Sequence, residues 1–444
     1  MRTNLLETYS RQLKVAVAYV AKNFDGMAVS ANTQLTTAVL LDNTNRWMTE
    51  SMNMVAGGNR TDLGDWKKFC LNLTNIAVPS LIANDLVIVH PMTSYSGSIA
   101  YLKYVAATDK NGMKDRVLNS VFAHGEMDDA RINYTSQVVV ENDTTPALDV
   151  EPNGMTYVDG NTVKYADIKA IMADGSVQYV AKNAIPEDAA KIAYVAQKFQ
   201  MNHVPATEIP SIAPKMERIA LVAEPRRIAV RYDQITAFQA KTDYGFSLDK
   251  QIAEQACGEL AYEIDTEIVD MLYKAAFARE ERVTFNKRQP LGVSKFEHYN
   301  AFLEIVEEAK AIIYKRTRKF HPNYMVIGSN VLPVLRFVNG FTAVKNAKMN
   351  GPYKVGELDG LDVYVSPAIA ENEFFFGLNG SDMMSSAGVY APYMAIVPTQ
   401  LLGTPDGGMT QGFSTWYAKA LLNDLLLVGG EIVDKSYVEG KEKS

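Results

Sequence analysis

The chain has 444 residues, a formal net charge of -7, and 47% hydrophobic residues. This length exceeds the usual size of one compact domain and supplies enough apolar residues for two or three packed units. The acidic balance argues against tight general binding to nucleic acid, because proteins that neutralise phosphates carry a surplus of Lys and Arg.

The chain has few residues suited to a disulfide framework or a metal site. Cys70 and Cys257 are its two cysteines, they lie far apart, and the five histidines are scattered singly. Tetrahedral zinc sites and disulfide scaffolds need more of these residues at close spacing. We therefore expect reduced, buried thiols and no metal or other cofactor. The first residues begin no long apolar block, which predicts neither a secretory signal nor a membrane anchor.

The first hundred residues predict two helices, a polar segment between them and a short structural segment. Apolar residues spaced for one helical face predict an amphipathic helix at 3–22. Residues 28–59 are rich in Thr, Asn and Met, so this segment buries little of its own surface. Trp47 in this segment docks either on a neighbouring element or subunit, or on the surface of its own chain. A helix is predicted at 62–76, and the proline-bounded segment 79–91 predicts a turn and strand without an activated nucleophile.

Residues 101–216 predict β-structure in short runs separated by turns. Asp159-Gly160 and Asp174-Gly175 stand between such runs. Asp-Gly is a strong hairpin signal, because the positive φ angles of a type I′ turn suit these residues. A long hairpin is marginal in water on its own. A long hairpin therefore needs either an added small domain or a partner that supports it, and we expect both here.

The strand that follows is the most basic of the chain. It contains Arg226, Arg227 and Arg231. Because side chains alternate along a strand, Arg227 and Arg231 share one face and Arg226 lies on the other. Two interpretations stay open. The arginines form ion pairs with the acidic helix edge of a neighbouring subunit, or they lie on a solvated face where each exposed pair contributes about 0 to 1 kcal/mol.

The longest predicted helix is Ser247–Phe277, with Ser247 as its N-cap. Apolar residues recur every four positions from Leu248 to Leu272 and predict a stripe buried against a sheet. The remaining surface is acidic, at Glu254, Glu259, Glu263, Glu267 and Asp270. Carboxylates four residues apart can bind a metal, but no histidine accompanies them. A solvated or subunit-facing helix edge is the preferred interpretation.

The remaining sequence alternates helices and strands. Helices are predicted at 296–317 and 330–338, and strands at 324–328, 353–365 and 374–377. The uncharged run 388–402 and the nearly uncharged run 409–427 predict strands buried on both faces, with prolines at an edge or bulge. The glycines of 403–408 lack the Lys-Ser/Thr pair of a phosphate-binding loop. The tail 437–444 is predicted to be frayed.

Three segments of the sequence, in this order, match the pattern of one protein family. They are Asn75–Thr93, with its Leu-Ile-Ala turn and final Pro-Met-Thr; Pro225–Tyr232 with the helix around Glu259–Ile268; and Gly388–Ala395 with Gly412–Ala418. In these segments the chain resembles the major capsid proteins of T-even-type tailed phages. The resemblance implies an α+β fold of the Hong Kong 97 capsid type with a β-rich insertion.

The resemblance also implies a division of the chain into seven segments. These are an N-terminal assembly helix (1–30), the N-terminal arm and first peripheral-domain elements (31–100), an extended β-hairpin loop with the insertion (101–224), a peripheral domain with a long spine helix (225–285), an axial domain (286–387), return strands of the peripheral domain (388–430) and a C-terminal tail (431–444). The family's maturation protease prefers Leu or Ile, any residue, then Glu. Leu5-Leu6-Glu7 fits and makes Glu7 a candidate cleavage position, although the same pattern recurs at four other places.

The function implied by the resemblance is structural and not catalytic. The chain is expected to be a major capsid subunit of a myovirus-like phage, assembled in the host bacterial cytoplasm. Hexamers and pentamers of the chain would form an icosahedral head that encloses double-stranded DNA without sequence-specific binding and without a membrane. Further expected partners are vertex, portal, scaffold and decoration proteins. The candidate intersubunit residues are Trp47, Arg226, Arg227, Arg231, Glu259, Glu263 and Glu267.

Two alternatives stay open at this point. The first is an encapsulin-like compartment shell that uses the same fold without packaging a genome. The second is an α+β enzyme or carbohydrate-binding protein whose β-rich insertion recognises the ligand. The second alternative requires a pocket with convergent titratable groups, for which the sequence offers no candidate.

Overall fold

The computed structural model divides the chain into two compact units. The first contains residues 1–99, 219–313 and 320–444, and the second contains residues 100–218 and 314–319. The structure describes residues 2–23, 31–54, 81–108, 114–115, 138–140, 154–159, 162–171, 177–179, 190–196, 210–243, 245, 248–344, 351–399, 402–403 and 407–434. The predicted helix at 62–76, the Asp174-Gly175 turn, the Ser247 cap and the tail at 437–444 lie outside these residues.

The described helices and strands follow one another along the chain. The helices are α1 (Arg2–Thr8), α2 (Ser10–Asn23), α3 (Ala31–Met54), α4 (Ala83–Leu86), α5 (Gln234–Asp243), α6 (Leu248–Phe277), α7 (Lys295–Asn300), α8 (Phe302–Thr317) and α9 (Leu332–Leu335). The strands are β1 (Ile88–Val89), β2 (Ser96–Ala106), β3 (Val138–Val140), β4 (Gly154–Asp159), β5 (Thr162–Ile171), β6 (Val177–Tyr179), β7 (Ala190–Ala196), β8 (Ile212–Val222), β9 (Glu224–Asp233), β10 (Val283–Asn286), β11 (Tyr324–Ile327), β12 (Thr342–Ala343), β13 (Tyr353–Leu358), β14 (Leu361–Val365), β15 (Glu373–Gly377), β16 (Gly388–Pro398), β17 (Leu402–Gly403), β18 (Gly408–Leu421) and β19 (Val428–Val433). This mixture of helices and sheets confirms the predicted α+β class.

The N-terminal segment is more helical than predicted. Residues 31–54 form the single helix α3 and not an extended arm. Two threonines of this polar segment form hydrogen bonds inside the helix. The hydroxyl groups of Thr36 and Thr37 donate to the carbonyl oxygens of Asn32 and Thr33, at 2.8 and 2.7 Å. These threonines are therefore buried with their hydroxyl groups paired.

Contacts to the rest of the first unit hold α3 in place. The amide of Asn43 donates to the carbonyl oxygens of Met92 and Tyr393, both at 2.8 Å. The Tyr9 hydroxyl, at the α1–α2 junction, donates to Asp42 at 3.3 Å. Because Asn43 is buried, its two hydrogen bonds fix the position of α3 relative to the segments that contain Met92 and Tyr393.

A five-stranded sheet forms one layer of the first unit. Its order is β1-β16-β18-β17, and β9 also pairs with β18. Nearly every residue of β16 is buried, which confirms the strand predicted from the uncharged run. The pairing of β16 with β18 shifts register at Pro392, so this proline lies at the predicted bulge.

A seven-stranded sheet forms another layer of the first unit. Its order is β10-β19-β15-β11-β14-β13-β12. The predicted pair at 353–365 is the β13–β14 hairpin, and its turn residues Asp359 and Gly360 have φ angles of 50° and 75°. Helix α8 contributes a buried stripe to the core beside this sheet, formed by Phe302, Val306, Ala309 and Ile313.

The long helix α6 packs against both sheets. Its first half buries Ala256, Cys257 and Leu260 with residues of the five-stranded sheet, including Phe413. Its second half, from Ile264 onward, belongs to the large core that contains the strands of the seven-stranded sheet. The predicted apolar stripe is therefore confirmed, and one helix joins two layers of the unit.

The region predicted to form hairpins contains a two-stranded ribbon and a separate sheet. Strands β2 and β8 pair with each other as the ribbon. The separate sheet has the order β3-β7-β4-β5-β6. The β4–β5 pairing ends at Asp159 opposite Thr162, as the Asp-Gly signal predicts. Within the described residues, no helix is both long and apolar enough to cross a membrane.

The packing of β19 gives a stability prediction. A Cβ atom at Gly430 would lie 2.3 Å from the ring of Phe374, which is fully buried. We expect Gly430→Ala to destabilise the purified chain by about 1–3 kcal/mol in urea unfolding, because the core must shift to accept the methyl group.

A second glycine provides the control for this experiment. Gly258 lies in the interior of α6, and a methyl group added there would meet no atom within 4 Å. Gly258→Ala should stabilise the chain by about 0.5–1 kcal/mol through helix propensity. Equal unfolding midpoints for Gly430→Ala and the wild type would contradict the packing described for β19.

Candidate intersubunit surface

Strand β9 separates its arginines onto two faces. Arg226, Ile228 and Val230 are half-buried, whereas Arg227 and Arg231 are exposed. The half-buried residues face α6, because Ile228 and Val230 pack against the cluster around Leu260. The predicted alternation is therefore observed.

Glu267 of α6 is the centre of a polar cluster beneath this strand. Arg226 donates to both oxygens of its carboxylate, from Nε to Oε1 at 3.0 Å and from a terminal nitrogen to Oε2 at 3.2 Å. The Tyr417 hydroxyl and the Lys419 ammonium group of β18 donate to Oε2 at 2.8 and 2.9 Å. One carboxylate thus links β9, α6 and β18. We call these four residues the Glu267 cluster.

The electrostatics of the Glu267 cluster favour the charged carboxylate. Partial burial acts to raise the pKa of Glu267, but hydrogen bonds from Arg226, Lys419 and Tyr417 outweigh it and lower the pKa to about 2. Arg226 also lies over the Tyr417 ring, 5.5 Å from its centroid. The Glu267 carboxylate therefore stays ionised through the neutral and mildly acidic range of pH.

Two of the predicted intersubunit residues pair with each other inside the chain. The bidentate contact engages the charged groups of Arg226 and Glu267, and Arg226 also contacts Glu224 at 3.3 Å. One of the two interpretations left open by the sequence placed these residues on facing subunits, because the sequence does not show which strand packs on which helix. The structure assigns them a contact that joins elements of one chain.

The other predicted residues remain on the surface. Arg227 lies over the Trp416 ring at 5.7 Å and keeps its guanidinium group on the exposed face of β9 together with Arg231. Glu259 and Glu263 are exposed on α6. The structure thus presents one positively charged and one negatively charged surface, on different elements of the same unit.

Trp47 and Glu7 lie in the N-terminal helices. Trp47 is half-buried on α3. Glu7 is exposed in the last turn of α1, two residues before the buried Tyr9. A protease that binds its substrate in an extended form would have to unwind α1 to reach the bond after Glu7.

Asp265 is a buried acidic residue that sequence reasoning missed. Its carboxylate accepts hydrogen bonds from the backbone N–H groups of Ala83 at 3.0 Å and Ile82 at 3.3 Å, and so holds the start of α4 on α6. Burial raises the pKa of Asp265 to about 7, although these backbone hydrogen bonds act to lower it. The sequence offers one signal for this burial: Asp265 directly follows Ile264, which belongs to the apolar stripe of α6.

The described residues contain no metal-binding or redox arrangement. No group of three His, Cys, Asp or Glu side chains among them is placed to hold a metal ion. Cys257 is a free, buried thiol, and burial raises its pKa to about 12. This is the reduced state expected from the sequence for Cys257, whereas Cys70 lies outside the described part.

Comparison with known proteins identifies the family. Residues 63–442 match the family described as Major capsid protein Gp23. The major capsid protein of Escherichia phage AR1 is 22% identical over 382 residues, covering 78% of this chain and 73% of that protein. The major capsid protein of Enterobacteria phage T6 is 21% identical over 402 residues, covering 78% of this chain and 76% of that protein. A structure from Microbacterium phage Oxtober96 matches with a TM-score of 0.40 and 12% identity, covering 80% of this chain and 91% of that one.

These findings define the chain as a structural protein of a tailed-phage shell. The chain belongs to the major capsid protein Gp23 family, because the match extends over most of its length. The resemblance stated from the three sequence segments is confirmed. Of the functions considered from the sequence, the family match supports the phage capsid.

Asp265 makes folding stability depend on pH in a specific direction. The unfolded chain releases this proton near the ordinary value of 3.8, whereas the folded chain holds it until about pH 7. Between these values the folded state binds more protons than the unfolded state, so this group's contribution to stability falls as pH rises. Asp265→Asn should flatten the dependence of unfolding midpoint on pH between about 4 and 7.

Asp243→Asn is the matched control, because Asp243 is exposed at the end of α5. This variant should keep the wild-type pH profile. If Asp265→Asn and wild type lose stability equally over this range, the buried carboxyl group does not carry the effect.

Proposed function

We propose that the chain assembles with copies of itself as hexamers and pentamers into an icosahedral head, and that it performs no catalysis. The family assignment supports the shell. The single structural observation that supports self-assembly is that the described part of the chain leaves apolar and charged side chains exposed. The apolar side chains lie on the ribbon of β2 and β8, and, separately, the charged ones lie on β9 and on α6.

The ribbon of β2 and β8 exposes an apolar face. Ile212, Met216 and Val222 are spaced by even numbers along β8 and therefore share a face, and they are 58%, 57% and 51% exposed. Leu102 of β2 is also exposed, at 42%. Two-stranded ribbons need a surface to pack on, because they bury little by themselves. A neighbouring subunit would supply that surface.

The exposed charges support a heterologous contact between subunits. Arg227 and Arg231 lie on β9, whereas Glu259 and Glu263 lie on α6. A contact that joins two different surfaces of identical chains repeats from copy to copy and closes into a ring when the rotation allows it. Pairing these arginines with the glutamates of the next copy would orient subunits within such a ring.

The remaining parts of the proposal follow from the family role. Trp47 on α3 is proposed to face an adjacent subunit, and Glu7 to be a site of maturation cleavage. Assembly would take place in the host cytoplasm with vertex, portal, scaffold and decoration proteins. The acidic net charge supports enclosure of double-stranded DNA without sequence-specific binding, because it leaves the phosphates largely without a basic partner. The seven-segment division of the chain remains part of this proposal.

Electron microscopy of the expressed chain tests the assembly. The wild type should form regular shells or capsomers in negative stain. Arg227→Glu/Arg231→Glu should remain folded by circular dichroism but lose at least about tenfold in shell yield, because like charges would then face each other across the contact. Adding Glu259→Arg/Glu263→Arg to the same chain should restore assembly.

Arg11→Glu/Lys14→Glu is the matched control, since it makes the same charge change at exposed positions of α2. Normal shells from Arg227→Glu/Arg231→Glu would remove the ion-pair contact from the proposal. A wild-type chain that stays a lone compact particle under all assembly conditions would contradict the shell itself.

A further inference from the structure

Helix α5 exposes its large apolar side chains and buries a small one. Ile235 and Phe238 are 65% and 70% exposed, whereas Ala240 is buried. Residues three apart lie on the same helix face, so Ile235 and Phe238 form one apolar surface. An amphipathic helix that packs only on its own chain has the opposite arrangement. The exposed pair therefore indicates a surface that another molecule covers.

The charges at the two ends of α5 identify what that molecule is. Asp233 directly precedes the helix and accepts a hydrogen bond from the Ile235 backbone N–H at 3.4 Å. Lys241 lies in the last turn and Asp243 ends the helix, and all three charged residues are exposed. If two copies of α5 lie antiparallel, Asp233 of each copy lies near Lys241 of the other. The helix is thus complementary in charge to a second copy of itself, which is the requirement for a twofold contact.

We propose that α5 is a twofold contact between two copies of this chain, in which Ile235 of each copy packs against Phe238 of the other. The antiparallel arrangement that aligns these two residues also brings Asp233 to within about one residue of Lys241, or about 1.5 Å along the helix axis. It also places the two helix dipoles antiparallel, so that the N-terminus of each helix lies beside the C-terminus of the other. The apolar pair and the charged ends therefore select the same geometry.

The size of the surface sets where this contact operates. A stable isolated dimer normally buries about 1,200–2,000 Å², which a pair of ten-residue helices does not supply alone. Inside a shell, other contacts hold the subunits at high effective concentration, and a small additional contact then contributes fully. The inference thus rests on the proposed function. It adds a twofold contact through α5 to the ring-forming contact between the arginines of β9 and the glutamates of α6.

Disulfide trapping in assembled particles tests the contact. Chains with Ile235→Cys and chains with Phe238→Cys are coassembled and oxidised, and the products are separated by denaturing electrophoresis without reductant. A covalent dimer that joins positions 235 and 238 should form in most neighbouring pairs that contain one chain of each variant. Peptide mass spectrometry would identify the two linked positions. The wild-type chain, oxidised in the same way, measures the background from the native cysteines.

Val15→Cys mixed with Phe238→Cys is the matched control. Val15 is an apolar residue of α2 that is 53% exposed, and it should give no specific dimer. A second arm uses charge: Asp233→Lys and Lys241→Asp should each lower the temperature at which shells dissociate, and the double variant should recover it.

The outcomes separate this inference from the proposed function. Shells that form normally but yield no 235–238 dimer overturn the α5 contact and leave the shell proposal intact. Single charge variants that dissociate like wild type also count against it. A wild type that forms no assembly under any condition overturns both.

Discussion

The constraint on which the subunit depends is the burial of one long helix between two sheets. Helix α6 carries apolar residues along a stripe that serves both layers, so neither sheet can move without disturbing the other. The Glu267 cluster sets the helix against β9 and β18, and Asp265 sets it against α4. Apolar burial supplies the stability, and these directional contacts fix the position of the helix along the sheet.

Periodic features of this chain were predictable from the sequence, and pairwise contacts were not. The apolar stripe of α6, the buried strand β16 and the β13–β14 turn follow from local spacing and turn chemistry. The alternation of Arg226 and Arg227 was also predictable, because it depends only on strand geometry. The contact between Arg226 and Glu267 was not, since it joins residues 41 positions apart through the packing of a strand on a helix.

Two other differences between sequence and structure have the same origin. The threonines and asparagines of α3 lower helix propensity, yet hydrogen bonds within the helix and from Asn43 to later segments make it stable. Asp265 resembles the solvated acidic residues of its helix until α4 is packed against it. In both cases tertiary contacts decide the outcome. The same division appears on the surface: the charged groups of Arg226 and Glu267 are paired inside the subunit, whereas Arg231, Glu259 and Glu263 are exposed.

A double-mutant cycle on Arg226 and Glu267 in the unassembled chain tests this account most directly. Unfolding in urea would be measured for the wild type, Arg226→Gln, Glu267→Gln and the double variant. The account predicts a coupling energy of about 1–3 kcal/mol, because a bidentate, partly buried ion pair is made within one subunit. Additive effects, with coupling below about 0.3 kcal/mol, would contradict it and return both residues to the surface available for neighbouring subunits.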